Sequence, residues 1–133
     1  MDMPTKPIIV NGKQKRTLDL SKLGAFFELH AERIRLVTIE DPHAAPGQGV
    51  TSMFNFGFNC GAAQMAVAAH AVPTYLVRPA KWKLDMGLTS NKDDSRALAT
   101  KLLPQFAHHW SLKKHDGRAE ATLLAIYGAQ RHG

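Results

Sequence analysis

A chain of 133 residues with 44% hydrophobic residues can bury one modest core, so a single domain is expected over its length. Its formal charge of +6 and pI near 9.7 favour a polyanionic partner such as a nucleic acid. One cysteine, Cys60, excludes an internal disulfide and fits a reducing, cytoplasmic compartment. The longest weakly apolar run, Gly61–Val72, falls short of the ~20 residues of a membrane span, and no membrane or secretory segment is expected.

The chain opens on a hairpin pattern. Pro7–Val10 and Lys13–Leu18 are extended segments on either side of Asn11-Gly12, a strong short-range signal for a tight turn. From Asp19 to Glu32 the residues Leu20, Leu23, Phe26, Phe27 and Leu29 recur at helical spacing, with Asp19 or Ser21 available as the N-cap. Ile34–Glu40 follows as a strand: its apolar residues lead to a carboxylate, and Pro42 stops it just beyond. Glu40 is thereby placed at the lip of a sheet, where open α/β folds carry their ligands.

Residues 41 to 52 form a loop marked by Pro42, Pro46, Gly47 and Gly49. Its Gly47-Gln48-Gly49 lacks the lysine and the Ser/Thr of a phosphate loop. Ser52 can cap a helix that carries Phe54, Phe56 and Phe58 into the small residues Gly57, Gly61, Ala62 and Ala63, which permit close packing. Pro73 ends that helix, and Thr74–Val77 is the next strand. Arg78–Lys83 is a basic run with one aromatic, Trp82.

Ser90 or Asn91 then caps a helix whose Asp93 and Asp94 suit its positive end, and Pro104 marks its finish. Gln105 to Lys114 reads as a loop or short turn carrying Trp110. A last helix runs from about Gly117 to Gln130, with Ala121, Leu124, Ala125 and Tyr127 as its buried stripe. Hairpin, helix, strand, helix, strand, helix, helix is the order of an α/β fold, with a mixed or parallel sheet flanked by helices.

Asp116 and Glu120 stand four apart and so share one helix face, where like charges repel by roughly a few tenths of a kcal/mol unless a cation lies between them. With Glu40 they supply three carboxylates, hard ligands suited to Mg²⁺ or Mn²⁺. In two-metal phosphodiester hydrolysis one ion activates water and the other stabilises the leaving oxygen. Spacing alone favours the plainer reading, in which Asp116 caps the helix and Glu120 is a solvated surface acid.

His108, His109 and His115 cluster without matching the spacing of a zinc site. His43, just past Glu40, stands at the mouth of the proposed site, where it can touch a base or a phosphate or serve as an ordinary loop residue. Lys81, Trp82, Lys83, Lys92 and Arg96 make a basic patch suited to phosphate contacts without sequence preference. A solvated lysine face is the equal alternative.

Several of these stretches together resemble a known family. The strand Val37-Thr-Ile-Glu40, then Pro46-Gly-Gln-Gly49 and Ser52-Met-Phe-Asn-Phe-Gly57, the positions of Lys83, Gly87 and Lys92, and finally Asp116-Gly-Arg-Ala-Glu120-Ala are similar to RuvC-type Holliday junction resolvases of the RNase H-like superfamily, most closely the phage-type members. The resemblance implies a homodimer that cuts branched DNA, the four-way junction, with Mg²⁺ held by acids. Carried over, Glu40 is the strand acid and Asp116 and Glu120 are the helix acids, four apart here and three apart in cellular resolvases. His115 shares the first helix position's role, because some members carry histidine there. Lys83 and Lys92 fall where resolvases place lysines that approach DNA, and His43 falls where cellular members wedge an aromatic into the junction. Members begin with a strand that carries a further metal-binding aspartate, whereas this chain opens at the later segment Asp2-Met-Pro-Thr5. The resemblance therefore implies an N-terminally truncated domain that lacks this acid and is weak or inactive as a nuclease, with a non-catalytic binder of branched DNA as the alternative.

Overall fold

A computed structural model describes residues Met1–Gly133 as a mixed α/β fold in which two small sheets are accompanied by helices. The chain forms two compact units, Met1–Arg35 with Pro42–Thr74, and Leu36–Asp41 with Tyr75–Gly133.

In the first unit, β1 (Thr5–Val10) and β2 (Lys13–Leu18) pair antiparallel, with Val10 opposite Lys13. Asn11 and Gly12 turn the chain at φ of 49° and 72°, the doubly positive geometry that makes Asn-Gly a hairpin signal. Arg16 ties the strands from the side, its Nε donating to the Thr5 hydroxyl at 2.7 Å and its Nη2 to the Thr5 carbonyl at 2.9 Å. The helix α1 (Leu20–His30) is capped by Asp19, whose carboxylate accepts from Lys22 N–H at 3.1 Å, and it buries Leu23 and Phe27.

The helix α2 (Val50–Ala68) starts two residues ahead of the expected Ser52 cap. Gly49 is its N-cap, in extended conformation, and the Gly49 carbonyl accepts Met53 N–H at 3.0 Å. Glycine serves at an N-cap almost as well as a hydroxyl residue. None of the 19 residues of α2 is charged, and only Cys60 and Val67 are buried. Phe54 is 70% exposed and Met65 66%, so this helix presents an apolar surface. No helix is long and apolar enough to cross a membrane.

In the second unit, β3 (Val37–Glu40) pairs with β4 (Thr74–Val77). Asp41 N–H, just past β3, donates to the carbonyl of Val77 at 2.9 Å. The strands thus end side by side, as parallel neighbours do. The expected strand from Ile34 is shortened because Ala31–Arg33 forms a 3-10 turn whose carbonyl at Ala31 takes the Ile34 N–H. A single sheet was the expectation. The hairpin and the β3–β4 pair are instead separate two-stranded sheets, because no strand of the chain pairs with both.

Three helices complete this unit: α3 (Pro79–Asp85), α4 (Lys92–Leu102) and α5 (Asp116–His132). Pro79 sits in the first turn of α3 with Arg78 extended before it, the arrangement in which proline's fixed φ starts a helix. Asn91 caps α4 by accepting Asp93 N–H at 3.0 Å. Short 3-10 turns at Pro104–Trp110 and Lys113–His115 fill the expected loop. The core consists of Val77, Trp82, Ala99, Trp110, Ala119, Leu123, Leu124 and Tyr127. On α5 the buried face steps by four from Ala119 through Leu123 to Tyr127, and the expected Ala121 and Ala125 are exposed, since a two-residue offset turns a side chain to the far side of a helix.

Two contacts fix α5. A Cβ added to Gly128 would fall on the Thr38 hydroxyl and 3.0 Å from Thr38 Cβ, so the missing side chain is what lets α5 approach β3. Tyr127, fully buried, donates its hydroxyl to Asp85 at 2.6 Å. Lys81 at 3.0 Å and Arg131 at 3.4 Å meet the same carboxylate oxygen. The Tyr127 bond, followed by Lys81, holds the Asp85 carboxyl below the usual range. The Asp85 bond, followed by burial, pushes the Tyr127 hydroxyl up to about 12 from its ordinary 10.0.

Gly128→Ala is expected to lower stability by about 1–3 kcal/mol through overpacking, and an unchanged urea midpoint would refute the close approach. Because the folded value of Tyr127 is the higher one, its contribution is complete below pH 10 and is lost as pH rises through about 12. Thermal unfolding across that window should show a loss that Tyr127→Phe reduces, and equal losses in both proteins would sink the assignment.

Candidate functional site

Glu40 ends β3 directly after Ile39, which is buried at 8% exposure. Strand alternation puts the Glu40 side chain on the opposite face. There its Oε1 accepts the indole Nε1–H of Trp82 at 2.9 Å. Trp82 is completely buried, and an indole N–H left without an acceptor in such a position is costly. Glu40 therefore has a structural task in addition to any chemical one.

Lys83 extends the arrangement by one residue. Its Nζ lies 3.0 Å from Glu120 Oε1 and 5.6 Å from the Trp82 ring centroid. Consecutive residues of α3 thus hold the strand acid and one helix acid. One turn earlier on α5, Asp116 faces Arg96, with Nε and Oδ1 3.4 Å apart. Both of these atoms are buried and neither makes a hydrogen bond. Arg96 also binds Asp93 at 2.6 Å and donates to the Ser111 carbonyl at 3.4 Å. Its guanidinium holds the Asp93 carboxyl below the usual range.

The remaining candidates are more dispersed. Lys81 is exposed and paired with Asp85 at 3.0 Å. Lys92 is exposed at the first residue of α4. His115 ends the 3-10 turn ahead of α5, where its Nδ1 accepts Leu112 N–H at 3.4 Å. His43 is exposed and belongs to the first unit.

Carboxylates are the right donors for Mg²⁺ or Mn²⁺, and the buried Asp116 Oδ1 has no hydrogen bond. Their arrangement is that of an ion-pair network. Glu40 is bonded to Trp82, Glu120 to Lys83, and Asp116 is paired with Arg96. No three His, Cys, Asp or Glu side chains stand together as a group that could hold an ion. As arranged, these residues do not fit a divalent cation.

Reading the residues in order picks out all three acids and misses the role of Trp82. An aromatic inside a basic run suggests stacking on bases. The helix started by Pro79 turns Trp82 inward instead and leaves Lys83 at the rim. The chain matches no family model and no curated protein sequence.

Replacing the acceptor of Trp82 separates structure from charge. Glu40→Leu is expected to destabilise the protein by about 1–3 kcal/mol, whereas Glu40→Gln, whose amide oxygen still accepts, should cost clearly less. Equal losses in urea unfolding would show that Trp82 does not depend on Glu40.

Proposed function

We propose that this chain is a structure-selective endonuclease of the Holliday junction resolvase type, with an RNase H-like, RuvC-like fold. It would hydrolyse phosphodiesters in branched DNA with Mg²⁺ or Mn²⁺, as a cytoplasmic homodimer. The observation that carries this reading is the seating of the strand acid Glu40 and the helix acid Glu120 on consecutive residues, Trp82 and Lys83. Asp116, one helical turn from Glu120, belongs to the same unit. A strand-end acid and a pair of acids on one helix face are then all connected to the turn of chain that also carries the basic residues. Lys81 and Lys92, exposed in that unit, suit phosphate contacts that give affinity without base preference. The uncharged, exposed face of α2 is unsuited to DNA and supports a protein partner, a second copy of the chain.

A second reading, a non-catalytic binder of branched DNA, is favoured by one specific observation. The two helix acids face cations of the protein itself, so the basic surface is in place while the carboxylates are engaged.

A synthetic four-way junction distinguishes the two. The endonuclease reading expects cleavage with Mg²⁺ that drops about 10²-fold or more in Glu40→Gln, the scale on which one electrostatic group at a reacting centre acts. A gel shift that survives chelation, with no cleavage at any metal concentration, selects the binder. Neither cleavage nor a shift discards both.

A further inference from the structure

The acid cluster offers suitable donors in an arrangement that does not fit a cation, and the two cations that close it are not equivalent. Lys83 and Glu120 are 34% and 28% exposed, whereas Arg96 and Asp116 are 21% and 20% exposed. The facing atoms of the second pair are fully buried. Separating that pair would strand an uncompensated charge in a dry site, which is costly. A partly solvated pair holds far more weakly, because water takes over as the partners part.

Attachment points the same way. Arg96 is also fastened to Asp93 and to the Ser111 carbonyl, while Lys83 Nζ has Glu120 as its single hydrogen-bond acceptor. A lysine ammonium is a compact charge on a flexible stem, and phosphate oxygens are strong acceptors for it. The backbone beneath Lys83 is immobilised by the buried Trp82 next to it, so the side chain can swing while its root stays fixed. Once it leaves, Glu120 and Asp116, four apart on α5, repel unless another cation comes between them.

We propose that Lys83 is a displaceable cover on the acid cluster: paired with Glu120 it closes the carboxylates to a divalent cation, and a phosphate group that captures its ammonium opens them. The phosphate in this proposal rests on the DNA-directed reading above, and the cover itself does not.

The test uses the full chain and Mn²⁺ alone, without DNA, followed by isothermal titration calorimetry. Lys83→Met is expected to bind Mn²⁺ about tenfold or more tightly than the unaltered chain, the scale on which groups around a metal ligand act. Adding Glu120→Gln should abolish that gain. Lys101→Met removes a positive charge at an exposed position of α4 and should change nothing. Lys83→Gln, which keeps a polar head without charge, is the second variant should methionine prevent folding. No gain in either Lys83 variant, or an equal gain in Lys101→Met, overturns the proposal. So does loss of folding in both Lys83 variants, because a displaceable cover cannot be essential to the fold. With no DNA present, absence of junction cleavage leaves this result standing, and absence of a gain leaves the cleavage result standing.

Discussion

The layout of the second unit depends on one demand, that of a completely buried tryptophan for an acceptor. Trp82 lies in a core with Val77, Ala99, Trp110, Leu123 and Tyr127, and burying so large a ring is favourable only if its single N–H is satisfied. Glu40 meets that demand from the end of β3 at 2.9 Å. The bond ties a four-residue strand to a seven-residue helix, neither of which would persist alone. It also decides where the next charge stands. With Trp82 turned into the core, Lys83 is left at the rim, where it reaches Glu120. Core packing, rather than any attraction among surface charges, sets the geometry of the candidate site.

The other end of that geometry is set by α5. The helix is docked on β3 at Gly128, where the chain has no side chain to keep Thr38 away. Glu120 lies eight residues earlier, about 12 Å along the axis at the rise of an α-helix, and Asp116 one turn beyond that. Asp85, at the last turn of α3, accepts from Tyr127 on the same helix and gathers Lys81 and Arg131 around itself. α3 is thus fastened to α5 on both sides of its short length, by Lys83–Glu120 and by Asp85–Tyr127. These fastenings differ in kind. The Tyr127 hydroxyl is buried and the Lys83 ammonium is partly in water, so one behaves as a fixed joint and the other as a removable one.

What could be read from the chain beforehand follows the range of the forces involved. The hairpin at Asn11-Gly12 and the caps at Asp19 and Asn91 are decided by residues within one turn of each other, and they form as their local chemistry requires. Glu40 at a strand end was equally legible, from the β-forming run before it and Pro42 after it. The partners of the acids were not. Trp82 and Glu40 are 42 residues apart, and Lys83 and Glu120 are 37 apart, so nothing local couples them. The phase of α5 was misjudged for a related reason. Ala121 and Ala125 fit a helical stripe as well as Ala119 and Leu123 do, and only the partner surface decides which stripe is covered. The division into two small sheets reflects pairing between distant segments, which strand propensity does not specify.

Counting acids alone overstates how negative such a cluster is. Asp93, Asp116, Glu120 and Glu40 are connected through Arg96, Lys83 and the neutral Trp82, so four carboxylates share two cations. Glu40 is the member whose donor carries no charge, and the network keeps a negative excess even when both cations are in place. Removing Arg96 would leave Asp93 and Asp116 both uncompensated, one of them with a buried oxygen. Removing Lys83 uncovers Glu120 alone, at the water-facing edge and on the same stretch of α3 as the indole that holds Glu40. A divalent ion replacing a singly charged ammonium there would compensate more charge than was lost. The same excess that makes the cluster tolerate its internal cations therefore gives it the capacity to exchange one of them.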